Sequence, residues 1–305
     1  MSEDLDATVR AARRWSDWAS PRGLRTDTLP WRLWERAKTL VWDPADLDLS
    51  GDATAYAALP ELARLGVANL VRGFMIGEEG VTLDVVPLLV AMADEGRIEE
   101  VMYLTTFAFE EAKHVDFFRR WVDAVGIDYA RLDAAVAERL GTTGEVPGQR
   151  QGIFEAELPR VMRRLIGDHS PEAVLDASVT YNQFVEGCLA VAGYRVFDLW
   201  FEQFGTLSGL RRGLALVRRD ESRHITYGTY LCRRLLAADP DLVEAATARL
   251  SQLHRAYEAT AAGRAGYGSG DTLGSFGEFL DVQVRRRLAL LWRRSPDLDL
   301  VPEEV

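Results

Sequence analysis

Two copies of one short pattern, Glu-x-x-His, stand out in this chain: Glu111 with His114, and Glu221 with His224. Helical positions three apart share a face, so each copy aims a carboxylate and an imidazole at one point. Donors of that kind suit a transition-metal ion. A single copy reads equally well as a solvated Glu–His pair, and the flanks decide. The face of the first copy carries Leu104, Phe107, Phe118 and Trp121; that of the second carries Leu210, Leu214, Val217, Gly228 and Leu231. Both copies therefore sit within apolar stripes that a helix turns toward a core. A bare carboxylate buried there costs several kcal/mol, on the order of a whole stability margin, so something has to neutralise it.

Di-metal helical bundles take one Glu from each of two helices and a Glu-x-x-His from each of two others. Before the first copy, Glu78 shares a stripe with Val67, Val71, Phe74, Val81 and Val85. Its neighbour Glu79 shares a face with Arg72 and Thr82 and is expected at the surface or behind the ligands. Before the second copy, Glu186 shares a face with Leu175, Val179, Leu189 and Gly193, whereas Glu202 follows Arg195 and Asp198 and is expected to be solvated. The interval from Glu78 to Glu111 nearly equals that from Glu186 to Glu221. The expected metal ligands are thus Glu78, Glu111, His114, Glu186, Glu221 and His224. Two divalent ions balance four carboxylates, giving a site an apolar core tolerates; oxidising both ions favours an added anionic ligand. Carboxylate and imidazole without thiolate suit iron and manganese, and oxygen activation is the expected reaction class.

Holding such a set in register takes long helices. One is expected from Pro60 to a break at Pro87, and a second from Arg97 to Val125, closed by Gly126. A shorter, kinked helix at Phe154 to Ile166 contains Pro159. Ser170 caps a helix with Pro171 in its first turn that runs to Phe204 and stops at Gly205. Ser208 to Ala238, a stretch from Asp241, and Phe276 to Arg293 complete the set. Glycine-rich loops are expected at Gly141–Gly144 and Gly263–Gly274, and a mobile tail at 295–305. The fold class is all-α, a helical bundle, with no internal boundary in residues 1–305. The formal charge of −11 excludes a nucleic-acid surface, which needs clustered Lys and Arg. Cys188 and Cys232 make no disulfide framework, and the acidic start is no signal peptide, so the expected setting is the cytoplasm. No uncharged run is long enough to span a membrane.

The segments Val41-Trp42-Asp43-Pro44-Ala45-Asp46, Gly77-Glu78-Glu79-Gly80-Val81, Phe107-Ala108-Phe109-Glu110-Glu111-Ala112-Lys113-His114, Ser178-Val179-Thr180-Tyr181-Asn182 and Val185-Glu186-Gly187 resemble the ligand-binding oxidases related to the ribonucleotide reductase small subunit. The resemblance runs from about Trp42 to Arg234. It implies a ferritin-like four-helix bundle with additional helices, working as a homodimer. It also implies a manganese–iron site that can assemble as di-iron, with Glu78, Glu111 and His114 on manganese and Glu186, Glu221 and His224 on iron. A long-chain fatty acid bridging the metals and an ether between Tyr181 and Val81, made with molecular oxygen, are further implications. Val81 shares Glu78's face; Tyr181 does not fall on Glu186's face in a regular helix, so the resemblance alone nominates it. A reductase radical subunit is the nearest rival. It shares Trp42 and the Asp220–Glu221 pair, with Asp220 expected to orient His114. Such a subunit usually has a tyrosine four residues after the first histidine, where this chain has Phe118, and one in its C-terminal tail, where none follows Tyr267. A ferritin-like iron store is a further rival, though storage bundles are much shorter. Acyl desaturases and amine oxygenases share the ligand pattern as well.

Overall fold

Apolar residues recurring at three- and four-residue intervals wind the chain into helices, and in the computed structural model these are the only regular elements among the described residues. Residues 23–130, 152–205, 207–262 and 270–292 are described. The loop expected at 141–144 and the tail at 295–305 lie outside them. In chain order the helices are α1 (Leu29–Thr39), α2 (Ser50–Ala58), α3 (Glu61–Asp84), α4 (Val86–Asp94), α5 (Ile98–Val125), α6 (Leu158–Arg164), α7 (Pro171–Ser178), α8 (Val191–Phe204), α9 (Ser208–Ala238), α10 (Leu242–Ala262) and α11 (Gly270–Trp292). None is long and apolar enough to cross a membrane.

The punctuation residues act where their chemistry requires. Val85 stays helical between α3 and α4, and Pro87 sits in the first turn of α4, where its missing N–H breaks no hydrogen bond. Gly126 closes α5 with a left-handed φ of 72°. Ser170 Oγ accepts from Ala173 N at 3.3 Å and starts α7. Pro159 does not kink a helix interior: it lies in the first turn of α6, behind a wide turn at Ile153–Glu157. The last helix begins at Gly270, inside the stretch expected to be loop; of that stretch, 263–269 lies outside the described residues. Docking on α8 and α10 outweighs the weak helix propensity of Gly270 and Gly274 there.

Four rods make the bundle. Helix α3 packs on α5, α5 on α9, α9 on the stretch Val179–Ala190 between α7 and α8, and α8 back on α3. Their facing stripes form two apolar clusters. On α3, α5 and α9 a polar layer separates the clusters: Glu78 lies between Met75 and Val81, Glu111 and His114 between Phe107 and Phe117, and Glu221 and His224 between Val217 and Tyr227. The interior is built to hold charge at mid-height.

Val179–Ala190 is wound more widely than an α-helix, in π-type turns. Such turns bond i to i+5 and gather at functional sites. Polar side chains brace this one. Asn182 Nδ2 donates to Glu186 Oε2 at 3.0 Å, Ser178 Oγ donates to Asn182 Oδ1 at 3.0 Å, and the buried Arg287 donates Nε–H to the Gly187 carbonyl at 3.3 Å. Across the interface stands Gly228 of α9. A Cβ there would come within 2.0 Å of Asn182 Cβ, so only glycine admits the asparagine.

Candidate metal centre

All six expected ligands are buried and meet in the polar layer, as two overlapping groups: Glu78, Glu111, His114 and Glu221, and Glu111, Glu186 and His224. His114 Nδ1 lies 3.3 Å from Glu78, 3.9 Å from Glu111 and 3.4 Å from Glu221. His224 Nδ1 lies 3.1 Å from Glu111, 3.7 Å from Glu186 and 3.5 Å from Glu221. Glu111 and Glu221 thus reach both histidines, while Glu78 and Glu186 each reach one. Glu79 and Glu202 are exposed, Glu202 paired with Arg195.

The other nitrogen of each ring is held from behind. His114 Nε2 lies 3.3 Å from Asp220 Oδ2, the partner expected for it, and Trp42 Nε1 donates to that oxygen at 2.7 Å. His224 Nε2 lies 2.9 Å from Glu110 Oε2. Glu110 was not singled out in the sequence, yet a signal was present. Each motif is preceded by an acid and carries a base before its histidine: Glu110-Glu111-Ala112-Lys113-His114 and Asp220-Glu221-Ser222-Arg223-His224. The acid of each copy crosses to the histidine of the other. Lys113 pairs with Asp220 at 2.7 Å, and Arg223 pairs with both Asp220 and Glu110. These bases neutralise the outer acids, and Nε2–H donated outward leaves each Nδ1 lone pair facing the carboxylates. Glu111 Oε2, Glu186 Oε1 and His224 Nδ1 are buried there without a hydrogen-bond partner. Buried orphan acceptors converging in this way fit cations of the hard-to-borderline class.

The electrostatics of the protein alone say the same. Burial pushes Glu78 up to about 8, with repulsion from Glu111 and Glu221 adding to it against the pull of His114. Burial and the Glu221 charge hold Glu186 well above the ordinary carboxylate range. Burial acts on Glu221 too, but the His224 charge together with the hydrogen bond and charge of His114 outweigh it and leave it at about 2. Burial opposes protonation of His114, yet the Glu78 charge and the Asp220 contact raise it well above its usual value. Near neutral pH the metal-free cluster therefore holds protons that a cation displaces. Raising the pH removes that competition, so metal affinity is expected to climb with pH through about 8, where Glu78 gives up its proton, with protons released on loading. Calorimetry in buffers of different ionisation enthalpy checks this; binding without proton release would contradict it.

One end of the cluster opens into a cavity of about 200 Å³. Glu78, Glu111, Glu186 and Glu221 close its floor; Phe74, Val81, Phe154, Leu189, Tyr257 and Phe276 contribute to its apolar walls. Val81 thus faces the carboxylates, as its register with Glu78 requires. Tyr181 arrives by a different route. Five residues of α-helix would turn it about 140° away from Glu186. The wide winding brings residues five apart onto one side, and the buried Tyr181 hydroxyl donates to Glu111 Oε1 at 3.0 Å. Burial first, and then the Glu111 charge, raise that phenol well above its usual pKa, keeping it protonated.

Residues 26–258 match the family of the ribonucleotide reductase small chain. The R2-like ligand-binding oxidase of Sulfolobus acidocaldarius is 34% identical over 93% of this chain and 98% of its own, with a TM-score of 0.78. An R2-like ligand-binding oxidase variant with an anaerobically reconstituted Mn/Fe cofactor is 33% identical over 88% and 95% of the two chains, with a TM-score of 0.76. Another variant, with a non-activated Mn/Mn cofactor, is 32% identical over 90% and 94%, with a TM-score of 0.73.

Proposed function

The chain belongs to the ribonucleotide reductase small-chain family and, within it, to the R2-like ligand-binding oxidases; we propose that this metal-dependent oxidoreductase holds a manganese–iron or di-iron pair in its polar layer. Glu78, Glu111, His114, Glu186, Glu221 and His224 would be the ligands. The observation that carries this reading is the set of buried acceptors, Glu111 Oε2, Glu186 Oε1 and His224 Nδ1, converging without a donor. When bound, the metal pair supplies oxygen activation, including the oxidising power to remove hydrogen from an unactivated C–H bond. The chain's own residues do the rest. Asp220 and Glu110 orient the histidines, Glu111 takes up the Tyr181 proton, and apolar walls exclude water from Val81. On this reading Tyr181 and Val81 become joined by an ether.

The cavity points to the ligand. Its walls are apolar, but its floor is four carboxyl groups, which offer an acid no cation to bind in the metal-free protein. With two cations in place the floor accepts one, and the walls accept its chain, so the fitting occupant is a long-chain fatty acid. Extraction of the metal-loaded protein should yield about one such acid per chain, and of the metal-free protein almost none. Equal recovery from both would remove the link between ion and ligand. A radical-generating reductase subunit fits less well, because the solved structures named above, which align over most of both chains, are R2-like ligand-binding oxidases. The buried free thiols Cys188 and Cys232 suit work in a reducing cytoplasm, as a homodimer on the family's pattern.

A further inference from the structure

One buried phenol is left over from the metal centre. The Tyr103 side chain of α5 is wholly enclosed, and among the described residues its hydroxyl has no hydrogen-bond partner. A phenylalanine would fill the same space without stranding a polar group, so the oxygen calls for a reason. The rings around it supply one. Phe107, one turn along α5, lies stacked on the His224 imidazole with centroids 3.7 Å apart. Tyr103 stands 6.1 Å from Phe107, Tyr227 of α9 stands 5.1 Å from Tyr103, and Tyr230 stands 6.4 Å from Tyr227. Phe107, Tyr103 and Tyr227 are sealed from water, whereas Tyr230 touches solvent at 8% exposure. A file of rings thus runs from one ligand of the cluster to the surface.

Chemistry gives each ring its part. A phenol yields an electron more readily than a phenyl ring does, and most readily when its proton has somewhere to go. Tyr227 has such a partner: its hydroxyl donates to Glu100 Oε2 at 3.0 Å, and Arg234 Nε stands 3.4 Å from the other oxygen of that carboxylate. Tyr103 has no such acceptor, so it passes an electron on without holding the vacancy, and Phe107 only bridges. We propose that Tyr103 and Tyr227 feed electrons to the metal pair assigned above, with Tyr227 the donor and Glu100 the acceptor of its proton. Electron count creates the need. Reducing dioxygen to water takes four electrons; oxidising two divalent ions supplies two, and the ether supplies two. A chain that cannot form the ether, or has already formed it, lacks the last two. Each passage moves one: Tyr227 loses an electron to the oxidised pair and its phenolic proton to Glu100, leaving a neutral tyrosyl radical. A one-electron reductant of the ascorbate class then gives an electron through Tyr230 while Glu100 returns the proton, which restores the phenol.

Tyr181→Phe, loaded with manganese and iron and mixed with oxygen, tests this, because it lacks the electrons of the ether. Freeze-quenched samples should show a tyrosyl radical by electron paramagnetic resonance, with lines that narrow when the tyrosines are ring-deuterated. Adding Tyr227→Phe should abolish that signal at unchanged metal content. Adding Tyr103→Phe should slow its rise, and adding Glu100→Gln, which keeps the shape but takes no proton, should lower its yield. Elemental analysis of the same samples keeps the two levels apart: a chain without its metal ions would overturn the metal assignment and this route with it. With the ions bound and oxygen consumed, three results would overturn the route alone: no tyrosyl at any quench time, a signal undiminished by Tyr227→Phe, or a rise unchanged by Tyr103→Phe.

Discussion

Glu111→Ala is expected to take the protein from about two transition-metal ions per chain to nearly none, whereas Glu186→Ala should leave about one. The difference follows from reach. Glu111 lies 3.9 Å from His114 Nδ1 and 3.1 Å from His224 Nδ1, so its loss strips a donor from both halves of the cluster. Glu186 approaches only His224, at 3.7 Å. His224→Ala should likewise empty its own half, and Glu110→Gln, which loosens the His224 ring without removing a ligand, should cost about 10–100-fold in affinity. The metal-free fold should survive Glu111→Ala. Four buried carboxylates repel one another, and burial with that repulsion already raises Glu78 and Glu186. Removing Glu111 relieves the repulsion but leaves the buried Tyr181 hydroxyl without its acceptor, so the metal-free variant should still fold and melt close to metal-free wild type. Elemental analysis after aerobic loading with manganese and iron, alongside thermal denaturation of the metal-free proteins, gives both readouts. Full metal retention in Glu111→Ala and His224→Ala would end the ligand assignment.

Tyr181→Phe should abolish the ether between residues 81 and 181 completely while leaving metal content near the wild-type level. Forming the link breaks the phenolic O–H of Tyr181 and the tertiary C–H of Val81 and makes one C–O bond. Two electrons and two protons pass to the oxidant derived from dioxygen, and the chain ends two hydrogens lighter. The protein supplies the positions. The Tyr181 hydroxyl already donates to Glu111 Oε1 at 3.0 Å, so its proton has a carboxylate to go to. Val81 lines the cavity whose floor includes the same Glu111. Burial of both residues keeps water from trapping an activated carbon. Val81→Ala should abolish the link as well, because a primary C–H bond replaces the weaker tertiary one. Peptide mass spectrometry of metal-loaded protein exposed to air should find one linked peptide pair, absent from protein aired without metal. Free peptides alone in the aerobic, metal-loaded wild type would mean that the chain has this layer without that chemistry.

The central ligand candidates and most helix spans are legible in the sequence because both follow from short-range periodicity. Glu111 with His114 and Glu221 with His224 stand three apart on apolar stripes, and a 3.6-residue helix carries such residues inward together. Glu78 and Glu186 separate from Glu79 and Glu202 by the same rule, and the structure buries the first two and exposes the others. Punctuation was equally local: Gly126 takes the left-handed turn after α5 and Ser170 caps α7. Only the tertiary structure decided what depends on contacts distant in sequence. Glu110 faces His224 from 114 residues away; the Asp220–His114 contact, 106 residues apart, is expected, but from the family resemblance rather than from any local pattern. The crossing of acids between the motifs appears only once α5 lies against α9. The wide winding at Val179–Ala190 rests on Asn182 fitting over Gly228 and on Arg287 reaching Gly187. No window of nearby residues encodes those contacts, so a regular helix left Tyr181 facing away. Packing set the turn, and the turn brought the phenol to Glu111.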